Sequence, residues 1–317
     1  MTDNTITEAA RRILAGQIVA APTETVYGLF GDATQDQAVA AIYALKNRPR
    51  QRPLILHVHD WVLAERVAVM DDRARALATY FWPSGRGGAI SLVVPRRADY
   101  PLSPLVNHGG DKIALRIPDH PLALALIAAV GRPLAAPSAN RFGRVSPTLA
   151  AHVREQFGAE SPYILEGGAC AIGVESTILD LTAESPVILR PGFIDAAAIA
   201  SVIGVWPREN QPHDGSHNMP GSSSSHYAPH LPVRLDAQAA LSGKTENLLA
   251  FGRQIPPGFA QIWQLSATGD LHQAAFHLYD YLRQADNGQA TGIAVMPIPG
   301  HGIGLAINDR LRRAAAR

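Results

Sequence analysis

Hydroxyls and cations are the reactive groups this sequence sets closest together. Pro22-Thr23-Glu24-Thr25-Val26-Tyr27-Gly28-Leu29 carries two threonine hydroxyls, and Lys46-Asn47-Arg48-Pro49-Arg50-Gln51-Arg52-Pro53 concentrates Lys46, Arg48 and Arg52. Guanidinium forks, an ammonium and hydroxyls are the groups that hold phosphate oxygens, so the two segments together suit a polyanion such as a nucleotide. A further pair of cations, Lys112 and Arg116, falls on one face of an alternating strand whose other face is Ile113, Leu115 and Ile117. A solvated face accounts for that alternation equally well.

The elements that would position these groups follow from punctuation and period. A short apolar strand over 17–21 is stopped by Pro22, and Gly28 permits a turn. Thr34 is placed to cap a helix, with Gln37 completing a capping box and Ala38, Ala41, Ile42 and Leu45 forming its apolar stripe. That helix carries the cations back across a sheet. Residues 54–58 read as a buried strand, 72–81 as a helix and 90–94 as a strand. A helix over 121–130 starts at Pro and ends at Gly131. A short strand over 133–136 leads into Pro137-Ser138-Ala139-Asn140, and Ser146-Pro147 is placed to start a helix that Gly158 closes. Strands over 177–181 and 186–189 precede a helix capped by Asp195 and ended by Gly204.

The chain then changes character. Pro207, Pro212, Gly215, Pro220, Gly221, the run Ser222 to Ser225 and Pro229 exclude a helix or central strand, so 206–230 is expected to be a linker or lid. Strands over 247–251, 261–265 and 291–297, with helices over 270–285 and 303–316, define a smaller α/β unit at 231–317. In the last helix, Arg310, Arg312, Arg313 and Arg317 are expected to offset the helix dipole rather than bind RNA.

Composition bounds the class. The 317 residues are 47% apolar and 17% charged, as in a globular protein, and no apolar run approaches the length of a membrane span. The start, Met1-Thr2-Asp3-Asn4, lacks the pattern of a signal peptide, and a single cysteine, Cys170, agrees with a cytoplasmic setting and a small buried thiol. A net charge of +1 gives no global case for nucleic-acid binding. Several motifs fall short. Gly243-Lys244-Thr245 has Gln238 where a phosphate-binding loop needs its first glycine, and Gly300-His301-Gly302-Ile303-Gly304 lacks the dinucleotide spacing. The pairs His213/His217 and His226/His230 lie in loop sequence, where that spacing does not make a zinc site, and no Gly-x-Ser-x-Gly surrounds Ser138.

The opening motif, Lys46-x-Arg48-Pro49 and Pro53-Leu54-Ile55-Leu56-His57 together resemble the YrdC-like family, best known for the threonylcarbamoyl-AMP synthases of tRNA modification. The resemblance continues through Arg116-Ile117-Pro118-Asp119-His120-Pro121, Ala136-Pro137-Ser138-Ala139-Asn140, Gly173-Val174-Glu175-Ser176-Thr177 and Leu189-Arg190-Pro191-Gly192. It reaches His226-Tyr227-Ala228-Pro229 and Gly304-Leu305-Ala306-Ile307-Asn308-Asp309-Arg310-Leu311. It implies a YrdC-like domain with a twisted mixed sheet at 1–205, a linker or lid at 206–230, and a small Rossmann-like α/β domain at 231–317.

The implied reaction joins L-threonine, bicarbonate and ATP into threonylcarbamoyl-AMP with release of pyrophosphate. By resemblance, Thr25, His57, Arg116, Ala136 (through its backbone) and Ser176 would hold L-threonine. Lys46, Arg48, Arg52, Lys112, Ser138, Asn140, Ser146 and Arg190 would hold ATP, and Tyr227 would close over it as a lid. Mg²⁺ would bridge the triphosphate, with no protein side chain assigned to it, and no side chain is assigned as nucleophile or base. Downstream partners would be the proteins that transfer threonylcarbamoyl to tRNA. The chain departs from the family at Ser84-Gly85-Arg86-Gly87, which looks inserted, and at Ser222 to Ser225, where basic and aromatic residues are usual. Two rival readings stand beside the synthase. One is a non-catalytic RNA-binding module of the same fold, with weak RNA affinity. The other is a carbamoyl-adenylate enzyme of hydrogenase maturation, which the absence of Cys-x-x-Cys pairs opposes.

Overall fold

The computed structural model describes residues 2–82, 88–209 and 226–316. The expectations for 84–87 and 222–225 therefore lie outside the described residues. In the first domain the strands are β1 (Val19–Ala21), β2 (Gly28–Asp32), β3 (Ile55–His57), β4 (Ile90–Pro95) and β5 (Lys112–Arg116). They continue with β6 (Leu134–Ala135), β7 (Tyr163–Ile164), β8 (Thr177–Asp180), β9 (Val187–Arg190) and β10 (Arg208–Glu209). Its helices are α1 (Thr2–Leu14), α2 (Asp36–Lys46), α3 (Trp61–Val67), α4 (Asp72–Phe81), α5 (Pro121–Val130), α6 (Ala150–Phe157) and α7 (Ala196–Ile203). The strands form one mixed sheet in the order β10-β9-β8-β4-β5-β3-β6-β2-β1-β7.

The two faces of this sheet differ in kind. Leu56, Leu92, Val94, Ile113, Leu115 and Leu179 bury one face in the main core against α2, α3, α4 and α7. Residues of opposite parity leave only a thin apolar patch on the other face, made by Ile55, Val93, Ala114, Ile178 and Leu189. His57, Ser91 and Arg116 share that second face. Arg190 joins them through an irregularity: the β8–β9 register shifts between Ile178 and Leu179, so Ile188 opposes Leu179 while Arg190 opposes Ile178. A bulge re-aims the side chains beyond it, here bringing the guanidinium to the polar face.

Strong caps explain the helices legible in sequence. Asp71 accepts from the Ala74 amide, Asp195 from Ala198 and Asp270 from His272 and Gln273. Three expectations are corrected. Thr34 does not cap α2; its hydroxyl donates to Asp32 at 2.6 Å, and Gln35 stands at the cap without a side-chain capping bond. Ser146 does not start a helix, because its hydroxyl donates to Glu175 at 2.6 Å and α6 begins only at Ala150. Gly28 opens β2 instead of turning, and it is glycine for space: a Cβ there would stand 2.9 Å from the Phe30 ring.

The second domain holds β11 (Val233–Arg234), β12 (Glu246–Phe251), β13 (Ile262–Ser266) and β14 (Gly292–Val295), all parallel in the order β11-β14-β12-β13. Its helices are α8 (Leu271–Ala285) and α9 (Gly304–Ala315). Their apolar faces do not stop at the domain edge, since Leu278, Leu282, Ile307 and Leu311 share one core with Val26, Ala89, Val145 and Val174. Among the described residues no helix is long and apolar enough to cross a membrane. Cys170 is buried and unpaired, and burial pushes its thiol up to about 12.

Candidate functional site

A narrow cleft opens over the polar face. Its cavity volume is only about 60 Å³. Its walls gather the expected threonine residues Thr25, His57, Arg116, Ala136 and Ser176 with Lys46, Arg48, Ser138, Arg190 and Tyr227 of the expected nucleotide set. Asn140 and Ser146 are buried behind the lining, and Arg52 is half-buried beside it. Lys112 shares the strand face but lies outside the cleft, half-exposed and 4.0 Å from Asp180.

The amino-acid end is built by the turn after β1. The Thr23 hydroxyl donates to the Val26 carbonyl at 2.7 Å and accepts from the Val26 amide, which locks the turn and lifts Thr25 beside Arg116. Arg116 donates to Thr25 Oγ1 at 3.1 Å and to Glu24, while its Nε has no partner among the described residues. Glu24 is thus the counter-ion of Arg116, a role the sequence reading did not give it. Ser176 is held from both sides: its Oγ lies 2.9 Å from Ser91 Oγ, and Arg190 donates to its carbonyl at 2.8 and 3.1 Å. Ala136 already donates its amide to Ile55, so a backbone contact to a ligand would run through its carbonyl.

The cationic end is assembled by α2 and its exit. Lys46, the last residue of the helix, is buried and donates to the carbonyls of Ser138 and Asn140. Arg48 donates to the Arg52 and Pro53 carbonyls and faces the Phe142 ring. Burial, reinforced by Arg48, holds Lys46 well below its usual range, and burial brings Arg48 down to about 10. Four buried cations line the cleft, of which Arg116 is paired with Glu24, so an anion near Lys46, Arg48 and Arg190 would restore charges that burial disfavours.

His226, which the sequence set aside with the zinc-like pairs, also lines the cleft and is 6% exposed. Tyr227 beside it is 1% exposed, adopts φ 60° and stacks on Tyr279 at 5.7 Å. Ala228 donates to the Gly143 carbonyl at 2.8 Å, which fastens this stretch to the first domain. Among the described residues no group of three or more His, Cys, Asp or Glu could hold a metal ion.

Acid stability follows from these groups. Burial pushes the imidazoles of His57 and His226 down from 6.5 to about 3. For Glu175, burial opposes ionisation, but Arg310, Arg190 and the Ser146 hydroxyl win and bring it from 4.5 to about 2. The unfolded chain therefore binds more protons as pH falls through 6.5 and then 4.5, so stability is complete above that window and is lost on acidification. The thermal midpoint should fall between about pH 7 and pH 4, less steeply in His226→Phe than in the wild type. A flat profile would mean that the imidazoles are not buried neutral.

The chain belongs to the Sua5/YciO/YrdC family: residues 11–192 match it, under the description "Telomere recombination". Residues 194–316 match "Threonylcarbamoyl-AMP synthase, C-terminal domain", which gives the two-domain form. A relative in Bacillus subtilis (strain 168), named Threonylcarbamoyl-AMP synthase, is 37% identical and spans 99% of this chain and 93% of its own. The solved structure of Pyrococcus abyssi Sua5 complexed with L-threonine superposes with a TM-score of 0.88 at 35% identity, covering 98% of this chain and 94% of that one. A shorter relative in Mycobacterium tuberculosis (strain ATCC 25618 / H37Rv) is 40% identical over 63% of this chain and 89% of its own length.

Proposed function

We propose that this chain is a cytoplasmic L-threonylcarbamoyladenylate synthase and, by reaction class, a nucleotidyltransferase. The carrying observation is that one cleft joins Thr25, His57, Arg116 and Ser176 to Lys46, Arg48 and Arg190. The amine of L-threonine and bicarbonate give a carbamate and water. A carbamate oxygen then attacks the α-phosphorus of ATP, the bond to the β-phosphate oxygen breaks, and pyrophosphate leaves. Such a transfer needs in-line positioning and charge neutralisation more than covalent help, and the lining offers cations, hydroxyls and carbonyls.

In this reading Arg116 takes the threonine carboxylate, with Thr25, His57, the Ala136 carbonyl and Ser176 around the rest of the amino acid. Lys46, Arg48, Ser138 and Arg190 take the phosphates, with Arg52, Asn140 and Ser146 shaping that end from behind and Lys112 at its margin. The narrowness of the cleft supports a lid role for Tyr227, since a nucleotide has to displace it to enter. Mg²⁺ would travel with the triphosphate oxygens and neutralise them. The domain limits follow the same reading, with catalysis in 1–205 together with β10 at the sheet edge, the lid in the rest of 206–230 and the Rossmann-like unit at 231–317. The product would pass to proteins that load threonylcarbamoyl on tRNA.

The deciding assay is pyrophosphate release from ATP with bicarbonate and Mg²⁺, comparing L-threonine with other amino acids. Release that needs both threonine and bicarbonate is expected; RNA binding without release would mean a binding module instead. Lys46→Ala and Arg48→Ala should each weaken ATP by about 1.5–3 kcal/mol, the worth of a charged hydrogen bond, or roughly tenfold to a hundredfold. Unchanged affinity in both variants would move the triphosphate elsewhere.

A further inference from the structure

Glu175 is the one carboxylate among the described residues lining the cleft, and its partners come largely from the other domain. Oε2 accepts from Arg310 Nε of α9 at 2.9 Å and from the Tyr279 hydroxyl of α8 at 2.8 Å. Oε1 accepts from the Ser146 hydroxyl at 2.6 Å. Arg310 has no exposed surface at all and lies before the last turn of α9, so it is not the dipole cation expected from the sequence. It also donates to the Pro191 carbonyl at 2.8 Å and lies 5.3 Å from the Tyr227 ring centre.

The turn that carries Glu175 is gripped by the same helices. A Cβ on Gly173 would come within 2.3 Å of the Ala275 carbonyl oxygen of α8. We propose that Arg310 and Tyr279 are positioning residues of the nucleotide end: they hold Glu175 away from the cleft cations, so that the second domain completes the site.

The argument is one of competition. A carboxylate on the wall of a cationic cleft is a rival to the phosphates that the cleft is built to take. Arg190 and Lys46 both feel the Glu175 charge. With Arg310 and Tyr279 in place, one oxygen is occupied from behind and the other takes the Ser146 proton, leaving Ser146 only lone pairs to offer a ligand. Without them, the buried anion would turn to Arg190 and Lys46, and a triphosphate would have to displace it.

This rests on the proposed synthase activity, and the test separates the two. Pyrophosphate release by the full chain is measured at varied ATP and varied L-threonine, well below each variant's melting temperature. The variants are Tyr279→Phe, Arg310→Met, Arg310→Lys and Arg310→Met with Glu175→Gln. Tyr279→Phe removes one hydroxyl without emptying space, so it carries the test if Arg310→Met does not fold. The KM for ATP should rise about threefold in Tyr279→Phe and at least about tenfold in Arg310→Met, with the threonine KM changing less. Arg310→Lys should recover part of the loss, and adding Glu175→Gln to Arg310→Met should recover more, because the competing charge is gone. Wild-type turnover with unchanged ATP KM in Tyr279→Phe and Arg310→Met would overturn the proposal alone. A wild type that releases no pyrophosphate would remove the activity reading itself.

Discussion

Arg116→Ala should require on the order of 100-fold more L-threonine for half-maximal pyrophosphate release, with the ATP requirement shifted far less. A guanidinium–carboxylate contact is charge-assisted and forked, and each such hydrogen bond is worth about 1.5–3 kcal/mol. Arg116 is 4% exposed, and its Nε has no partner among the described residues, so a ligand carboxylate meets a donor already stripped of water. The substitution also leaves Glu24, 5% exposed, without its cation. Breaking a buried pair from one side costs about 3–5 kcal/mol, so stability and threonine dependence should fall together. Arg116→Lys separates them, because it retains the charge for Glu24 but not the fork. An Arg116→Lys protein near wild-type stability with a raised threonine KM is expected. If threonine dependence is unchanged in both variants, the carboxylate contact lies elsewhere.

Gly192→Ala should do comparable damage from a position with no chemistry of its own. Its backbone is not left-handed, so the cost is purely of space: a Cβ would lie 2.2 Å from the Thr177 amide nitrogen, 2.4 Å from the Ser176 carbonyl carbon and 2.7 Å from the Glu175 carbonyl oxygen. Backbone cannot swing aside as a flexible side chain does, so Glu175 to Thr177 must move as a strip. That strip carries the hydroxyl braced by Ser91, the carbonyl held by Arg190 and the carboxylate held by Arg310. A loss of about 1–3 kcal/mol is the usual cost of overpacking, and turnover per folded molecule should drop by more than tenfold. Equal turnover in Gly192→Ala, measured on protein shown to be folded, would mean that the strip does not set the geometry of the site.

The legible parts of the fold are those with local causes. Asp195 and Asp270 before apolar stripes, and Pro121 with Gly131 around one, place α7, α8 and α5 to within a residue. Three strands of two residues, β7, β10 and β11, have no period to read and were not expected; each exists because a neighbouring strand supplies its ladder. Thr34 and Ser146 show the limit of cap reading, since a nearby acid, Asp32 or Glu175, takes the hydroxyl first. The cleft residues were legible because their motif kept them in order, whereas Glu24 and Glu175 were hidden in the same motifs as residues with no ligand of their own. Arg310 did leave a signal. It falls on the buried stripe of Ile303, Ile307, Leu311 and Ala314, and a cation in that register points to a buried anion opposite.

The pairing of Glu175 with Arg310 also bears on inheritance. Two halves that can be separated on paper share one charge balance, so a lineage that sheds the second half keeps an acid whose counterweight has gone. A change at 175, 279 or 310 then disturbs both halves at once. A chain without α8 and α9 would have to neutralise that acid with a local cation or do without it. The border between the halves is one between two sheets, while the charge balance runs across it.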